Sequence, residues 1–457
     1  MKLPIVKVPQ PILRAKAKPV KKITPDLLKL AQNMIETMDA NRGIGLAAPQ
    51  VGQSIRLLVA GFTEVKQSER EENVPRTILF NPKIIDRSES TNKLSEGCLS
   101  IPGLTGVVER ASAVSVNGMN EAGQQVTIAA QDLHARVLQH EIDHLDGVLF
   151  TDRLEHYKVI FFGTSEFAVP ALERLILHPQ FEVVAVVTET DKPAGRGHNV
   201  TASPIKKLAQ QHKIPVLQPA TLKQDHKDPE KAKQAQETLA SLQKLRPHFF
   251  VVASYGKILP EGLLHIPSII SLNIHPSLLP KYRGPSPIQS ALLNGDTETG
   301  ICIMEVAPAM DAGDILTMYK HPIYPQDSYG SVSTRLADAG AAQLILTLEE
   351  IIADKAEMYH QDHTEATFTK KFEPSDAKIN WSKPAATVVN HIRAFSPKPG
   401  AWTDVDDLII KIISAHLLDD HVVIDQVLIP GKKLMTLNDL KNGYKDLYFH
   451  LMKLAAK

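Results

Sequence analysis

The chain has 457 residues, with 51 Lys and Arg against 51 Asp and Glu, and 43% of its residues are hydrophobic. This length predicts roughly three domains of about 150 residues each. The neutral charge balance neither favours nor excludes a nucleic-acid partner. Two cysteines cannot form a disulfide framework, so we expect a reducing, cytoplasmic setting. The chain has no uninterrupted apolar run long enough to span a bilayer and no signal-peptide pattern, so no membrane partner is expected.

The first informative pattern is HEIDH, within a predicted helix over residues 133–145. His140 and His144 are four residues apart and share one helical face, so both imidazoles can reach one metal ion. Glu141 lies beside them, where its carboxylate can face water on that ion. A thiolate from Cys98 would complete three ligands and leave a position open for water. Alone, HxxxH is more often a pair of surface histidines, and a lone cysteine is more often a small buried hydrophobe.

Three motifs in order, GIGLAAPQVG at 43–52, EGCLS at 96–100 and HEIDH at 140–144, resemble peptide deformylase over residues 1–155. The resemblance implies an α+β metal hydrolase domain in which Cys98, His140 and His144 bind a divalent metal. That metal is usually Fe(II) in the family and is replaceable by Ni, Co or Zn. The implied substrates are N-formylmethionyl nascent peptides, which are hydrolysed to formate and a free N-terminus.

The resemblance also assigns roles to the residues around the metal. Glu141 is the general base and then the acid. The Gln50 amide and the Leu99 backbone N–H donate to the developing oxyanion. Gly45 offers its backbone to the substrate, since glycine permits close approach. The ribosome is a further partner that the resemblance suggests, because some deformylases dock on it through a basic C-terminal tail. In this chain the next domain takes the place of that tail, which disfavours docking by that route.

The second part of the chain begins at Tyr157 without a Gly/Ser-rich or Pro-rich spacer, which disfavours a flexible tether. Apolar runs alternate with helical segments, as in an α/β Rossmann-like domain with a parallel sheet. The predicted strands are residues 158–162, 182–188, 249–255, 269–274 and 300–306. No GxGxxG follows the first strand, so a nicotinamide dinucleotide site is not supported.

Asn273 and His275 lie two residues apart at a predicted strand end, so their side chains point the same way. Strand carboxyl ends are where open α/β sheets bind ligands. Asp311 and Asp314 follow in the stretch MDAGD. A lone His in an apolar strand is more often a satisfied core residue, and Asp-x-Gly is more often a turn, so each signal alone is weak.

The pattern NIHPSLLPKYRG at 273–284, followed by MDAGDI at 310–315, resembles the folate-dependent formyltransferases. The stretches at 158–175 and 188–199 narrow the resemblance to the methionyl-tRNA formyltransferases. It implies that 10-formyltetrahydrofolate donates a formyl group to initiator Met-tRNA, with Asn273, His275 and Asp311 as the catalytic set. Asp314 is an alternative to Asp311 as the catalytic acid, but its position in the motif favours a structural role. The implied folate-contacting loop is Ser277, Leu278, Leu279 and Pro280.

Basic residues cluster around the stretch DKPAGRGHN at 191–199. Such a cluster is usually a solvated face, but the resemblance places a loop for the tRNA acceptor end here. We therefore predict phosphate contacts by Lys192, Arg196, Lys206 and Lys207.

Residues 364–457 predict a small β-rich domain with strands at 408–413 and 422–428. The resemblance implies a C-terminal OB-like β-barrel that helps to hold the tRNA. The C-terminal domain has only a small excess of basic residues. Its contact with tRNA is therefore less strongly indicated than the contact by the loop at 191–199.

The predicted organisation is a deformylase domain at 1–155, a formyltransferase catalytic domain at 157–363 and a tRNA-contacting domain at 364–457. Because both motif sets are intact, the favoured function is a bifunctional enzyme of translation initiation. In the first alternative only one half is catalytic and the other half is a binding or targeting module. In the second the chain is a pure RNA-binding protein. Measuring both activities on one preparation separates these hypotheses.

Overall fold

The computed structural model describes residues 1–62, 74–194, 199–405 and 408–456. The chain forms two compact units. Unit 1 comprises Met1–His156, His178–Gln180 and Glu349–Lys355, and unit 2 comprises Tyr157–Leu177, Phe181–Leu348 and Ala356–Lys457. None of the helices in these described ranges combines the length and the apolar character needed to cross a membrane.

Unit 1 combines two longer helices with antiparallel strands. The helices are α1 (Pro25–Ala40) and α2 (Asp132–Leu145). The strands are β1 (Gly45–Ala47), β2 (Leu57–Ala60), β3 (Thr77–Arg87), β4 (Thr91–Cys98), β5 (Ile101–Ala111), β6 (Ala113–Met119) and β7 (Gln125–Gln131). One sheet has the order β1-β2-β3-β6-β7, and β4 pairs with β5 separately. Helix α1 begins where sequence rules expect it, because Pro25 opens the first turn and the Thr24 side chain accepts from the Leu27 N–H.

Helix α2 lies within the core of unit 1. Ala135, Leu138, Ile142 and Leu145 recur at spacings of three and four, and they belong to the same buried cluster as Leu58, Leu79 and Val116 of the sheet. Its polar residues from Arg136 to His144 are buried too. The apolar face therefore anchors the helix, and its other face carries buried polar side chains.

Unit 2 is built on a mixed sheet. The strands of unit 2 are β8 (Tyr157–Gly163), β9 (Phe181–Val187), β10 (Lys192–Ala194), β11 (Asn199–Thr201), β12 (Val216–Leu217), β13 (Phe249–Ala253), β14 (Ile270–His275), β15 (Glu298–Glu305), β16 (Ile315–Pro322), β17 (Ala401–Val405), β18 (Leu408–Leu418), β19 (His421–Leu428) and β20 (Met435–Thr436). The helices that lie wholly or mainly in unit 2 are α3 (Val169–Leu177), α4 (Pro204–Gln211), α5 (Pro229–Lys244), α6 (Glu261–Leu264), α7 (Pro287–Asn294), α8 (Tyr329–Ile352), α9 (Ala385–Phe395), α10 (Leu437–Gly443) and α11 (Lys445–Ala455).

The main sheet has the order β12-β9-β8-β13-β14-β15-β16. The strands from β12 to β14 are parallel, whereas β15 is antiparallel to β14 and β16 is antiparallel to β15. All five predicted strands are present, but the prediction of a parallel sheet is wrong for the strand at 300–306. An apolar run indicates a buried strand without indicating its direction, and mixed sheets are common.

The predicted OB-like β-barrel is not confirmed. In the described part of the C-terminal region the sheet has the order β17-β18-β19-β20 and stays open, because its edge strands β17 and β20 do not pair. An OB-fold needs five strands. After β20 the chain forms α10 and α11 instead of another strand. The result is a short antiparallel sheet with helices, including α9, packed against it.

Candidate active sites

Unit 1 brings one cysteine and two histidines together. Cys98 ends β4, and His140 and His144 occupy successive turns of α2. Their ligand atoms all lie within 4.8 Å of one another, and Cys98 Sγ is 3.2 Å from His144 Nε2. One thiolate with two imidazoles is a donor set suited to a divalent transition metal and less suited to magnesium or calcium. The side chains present therefore fit the metal that the sequence predicts.

The orientation of His140 is set by Glu96. His140 Nδ1 lies 2.8 Å from Glu96 Oε2, so Nδ1–H donates to the carboxylate and Nε2 is left for a metal. Arg110 donates to both Glu96 oxygens, at 2.6 and 2.9 Å, and Arg136 donates at 2.6 Å. Burial alone would raise the pKa of Glu96, but the Arg110 guanidinium holds it well below its usual range. Glu96 therefore stays an acceptor at neutral pH.

The same charge network extends to Asp143. Arg110 Nη1 donates to Asp143 Oδ2 at 2.8 Å, and Arg153 donates to both Asp143 oxygens, at 2.8 and 2.6 Å. Sequence reasoning missed these supporting residues. Glu96 could have been found, because it lies two residues before Cys98 on a strand and so faces the same side. The arginines lacked any comparable local signal.

Glu141 is almost fully buried and faces a glycine. Its Oε2 has no hydrogen-bond partner among the residues that the structure describes. Burial raises the pKa of Glu141 to about 7, although nearby His140 opposes that shift. A Cβ added at Gly45 would lie 2.3 Å from Glu141 Oε1, so only glycine leaves room for this carboxylate. A carboxyl with a pKa near neutral can both take and return a proton.

Gln50 is held so that its amide nitrogen faces the cysteine. Its Oε1 accepts from the Ala47 N–H at 2.8 Å, which leaves Nε2 3.4 Å from Cys98 Sγ. A cavity of about 720 Å³ opens here. Its lining includes Gly45, Gln50, Cys98, Leu99, His140 and Glu141. The residues predicted for hydrolysis thus meet at one cavity, with His144 buried behind it.

Unit 2 has its own cavity, of about 420 Å³, at the carboxyl end of β14. Asn273, His275 and Asp311 all line it. Asn273 Nδ2 lies 3.5 Å from Asp311 Oδ1, and His275 Nδ1 lies 3.6 Å from Asp311 Oδ2. The structure therefore brings the three predicted transferase residues together.

Two backbone groups hold this set in place. His275 Nε2 lies 3.0 Å from the Tyr282 carbonyl, and because a carbonyl can only accept, Nε2 carries a proton. Nδ1 then faces Asp311. The Gly284 N–H donates to Asp311 Oδ2 at 2.7 Å. Asp314 is placed differently, since its Oδ1 lies 2.7 Å from His360 Nδ1 and it does not line the cavity.

The predicted folate loop does not line this cavity. Ser277 is buried and donates to the Lys281 carbonyl at 2.7 Å. Leu278 fills the space beside Gly300, Leu279 packs in a small core cluster, and Pro280 follows in the chain.

The loop after β13 lines the cavity instead, through Tyr255, Gly256 and Lys257, together with Ser165 after β8. Sequence reasoning missed these residues. The available signal was that β8 and β13 are neighbouring parallel strands ending at the same sheet edge as β14.

The predicted tRNA contacts are partly neutralised by acidic neighbours. Lys192 Nζ lies 2.5 Å from Glu189, and Lys206 Nζ lies 2.6 Å from Asp191. Lys207 is exposed. Arg196 lies outside the described residues.

Three family models match consecutive parts of the chain. The polypeptide deformylase model matches residues 2–159, the formyl transferase model 157–348 and the formyl transferase C-terminal domain model 371–431. The methionyl-tRNA formyltransferase of Sulfurihydrogenibium sp. is 41% identical over 262 residues, which are 57% of this chain and 81% of that protein. That of Roseiflexus castenholzii is 43% identical over 264 residues, 58% and 81% of the two chains.

Among solved structures, the peptide deformylase from Ehrlichia chaffeensis is similar to part of the chain, with 40% identity and a TM-score of 0.32. The match covers 34% of this chain and 89% of that one. A class I type b peptide deformylase from Acinetobacter baumannii has 35% identity and a TM-score of 0.33, over 34% and 99% of the two chains.

Proposed function

This chain belongs to the methionyl-tRNA formyltransferase family, and on that premise we propose which residues perform its activities. A polypeptide deformylase domain precedes the formyltransferase part of the chain. The chain is a bifunctional fusion acting in translation initiation. We propose domain boundaries of 1–155, 157–363 and 364–457, and the cytoplasm as the compartment where both substrates arise.

In the deformylase domain, Cys98, His140 and His144 hold a divalent metal, for which Fe(II), Ni, Co and Zn are candidates. When bound, the metal supplies Lewis acidity and lowers the pKa of water to about 7. Glu141 takes the proton from water and passes it to the leaving amine. Gln50 Nε2 and the Leu99 N–H donate to the oxyanion that develops on the formyl group.

Gly45 leaves space for the Glu141 carboxylate and presents its own backbone to the formylated peptide. The observation that carries this proposal is the three-ligand cluster beside Glu141. That carboxyl group is buried, and one of its oxygens has no partner in the described part of the chain.

In the transferase domain, the α-amine of initiator Met-tRNA attacks the formyl carbon of 10-formyltetrahydrofolate. The amine must be a free base, and with a pKa of about 8 it needs only a modest base. Asn273 Nδ2 donates to the tetrahedral oxyanion. His275 Nε2–H is already used by the Tyr282 carbonyl, so His275 can donate only from a protonated Nδ1. Asp311, whose Oδ2 lies 3.6 Å from His275 Nδ1, orients His275 and accepts protons during transfer.

Substrate contacts outside this set follow from the resemblance and from exposure. We assign Ser277, Leu278, Leu279 and Pro280 to folate through their backbone, since the side chains of Ser277 and Leu279 are buried. We assign Lys192, Arg196, Lys206 and Lys207 to tRNA phosphate. The exposed Lys207 is the best supported of the described lysines, because Lys192 and Lys206 are paired with acids.

The test measures formate release from a formyl-Met peptide and formylation of Met-tRNA on one metal-loaded preparation. We expect both activities in the wild type. Cys98→Ser should lose bound metal and formate release, since a neutral hydroxyl is a poor ligand. It should keep formylation, because Asn273, His275 and Asp311 need no metal. Wild-type protein with only one activity would instead make the other half a binding or targeting module.

A further inference from the structure

Gln361 is a buried residue in the connecting segment 356–370, only 7% exposed. It lies between the residues matched by the formyl transferase model and those matched by its C-terminal domain model. The segment runs back along the transferase site: Tyr359 bridges to Ile315, and Phe368 bridges to Arg283. A connecting segment held in this way can contribute to the site it crosses.

The Gln361 amide uses both of its ends. Nε2 donates to the Asp311 carbonyl at 3.0 Å and to the Gly313 carbonyl at 2.6 Å. Oε1 accepts from Arg283 Nε and Nη2, at 3.1 and 2.7 Å. Because a guanidinium only donates and a carbonyl only accepts, the amide can take only this orientation. Gln361 therefore ties the backbone of Asp311 to the buried Arg283.

Asp311 needs such support because its backbone is strained. Its φ is +50°, a left-handed conformation that non-glycine residues adopt only at an energetic cost. The Gly284 N–H holds its carboxylate, and Gln361 holds its carbonyl. Tyr282, in the same tripeptide as Arg283 and Gly284, holds His275 through its carbonyl. One short loop and one glutamine thus control the relative placement of His275 and Asp311.

We propose that Gln361 is a positioning residue of formyl transfer, which acts by holding the Asp311 backbone so that the carboxylate faces His275. The inference rests on the proposed transferase function. It makes the connecting segment part of the active site in addition to its role as a link. Gln361 lies outside the cavity lining and does not touch the reacting atoms itself.

Gln361→Glu isolates the donor function. The carboxylate keeps the volume of the side chain and still accepts from Arg283, but when ionised it cannot donate to the Asp311 and Gly313 carbonyls. We expect kcat for formylation to fall by about 10- to 100-fold, as for a misplaced catalytic group. The KM values for Met-tRNA and 10-formyltetrahydrofolate should stay near wild type. Gln361→Met, which lacks the donor without adding charge, should likewise lower kcat and leave both KM values near wild type.

Two controls separate positioning from unfolding. Gln243→Glu, the same substitution at an exposed site on α5, should leave both activities unchanged. Formate release by the deformylase half of each variant normalises the amount of chain in each assay, and the thermal midpoint reports the fold of the transferase half. The thermal midpoint of Gln361→Glu should stay close to that of Gln243→Glu.

A double-mutant cycle decides whether Gln361 acts through Asp311. In an Asp311→Asn background, adding Gln361→Glu should cause little further loss of kcat, whereas an independent structural role would multiply the two losses. Undiminished kcat in Gln361→Glu, or multiplying losses, would overturn the inference. Wild-type formylation measured in parallel keeps the proposed function separate, since an active wild type with an unaffected variant rejects only the role of Gln361.

Discussion

Gly45 leaves space for the Glu141 carboxylate because it has no side chain. A methyl group there would lie 2.3 Å from Glu141 Oε1, so Gly45→Ala must displace the carboxylate. Misplacement of a catalytic group by about 1 Å costs on the order of 10²-fold. We expect deformylation to fall by about that factor, while metal content and formylation are unchanged, because Gly45 is not a ligand.

The matched control is Gly262→Ala, where an added Cβ meets nothing within 4 Å. It should retain both activities. Full deformylation by Gly45→Ala, measured as formate release at equal metal content, would mean that Glu141 can move without cost.

Asp311 and Asp314 differ in what they face. Asp311 lines the transferase cavity beside Asn273 and His275, whereas Asp314 pairs with His360. Asp311→Ala should therefore reduce the kcat of formylation by about 10²–10³, comparable to the loss of a direct electrostatic partner of the transition state. Asp314→Ala should cost far less. If steady-state formylation showed the reverse ranking, Asp314 would be the catalytic acid.

At the scale of elements, helix α8 begins beside a buried carboxylate. Asp327 is 3% exposed and accepts from Arg335 at 2.7 and 2.5 Å, from the Ser331 hydroxyl and from the Tyr324 N–H. Burial alone would raise the pKa of Asp327, but its bonds with Arg335 hold that pKa below the usual value. The ionised carboxylate therefore stabilises the start of α8.

This pairing predicts a pH-dependent stability. Stability from a carboxyl with a lowered pKa is present above its unfolded pKa of about 3.9 and is lost as pH falls through the folded value. Asp327→Asn should lower the free energy of unfolding by about 1–3 kcal/mol at pH 7. In urea titrations the difference from wild type should shrink below about pH 4. Asp225→Asn, at an exposed position, should show neither effect, and a difference that grows with acid would refute the assignment.

At the scale of the whole molecule, the chain contains two opposed activities. Hydrolysing formyl-Met-tRNA as fast as it forms would waste folate. We predict that the deformylase site does not hydrolyse formyl-Met-tRNA at that rate. A deformylase substrate held as an added strand makes main-chain hydrogen bonds beyond the methionine. Formyl-Met-tRNA has a ribose ester there and lacks the next amide N–H. Each buried partner left unpaired costs about 1–3 kcal/mol, which favours peptides.

The measurement compares wild type with Glu141→Ala, both given Met-tRNA and 10-formyltetrahydrofolate. Formyl-Met-tRNA should accumulate to nearly the same level in both, and a formyl-Met peptide added to the wild-type reaction should still be deformylated rapidly. Continuous formate release, with formyl-Met-tRNA held far below the Glu141→Ala level, would show instead that the chain regulates initiator formylation.

The amino-acid sequence by itself determined the family, the two chemistries and the residues grouped by local spacing. His140 and His144 share a face because they are four apart on a helix, and Asn273 and His275 share one because they are two apart on a strand. These relations are contained in the backbone geometry of a single element, so no tertiary information is needed to infer them.

Only the tertiary structure decided which distant groups support those residues. Arg110 reaches Glu96 from the neighbouring strand, and Gln361 reaches Asp311 across 50 residues. It also decided that β15 runs antiparallel to β14 and that the C-terminal sheet ends in helices without closing. The physical reason is the same in each case. Hydrophobic periodicity shows which face of an element is buried, but the partner on that face depends on how the whole chain packs.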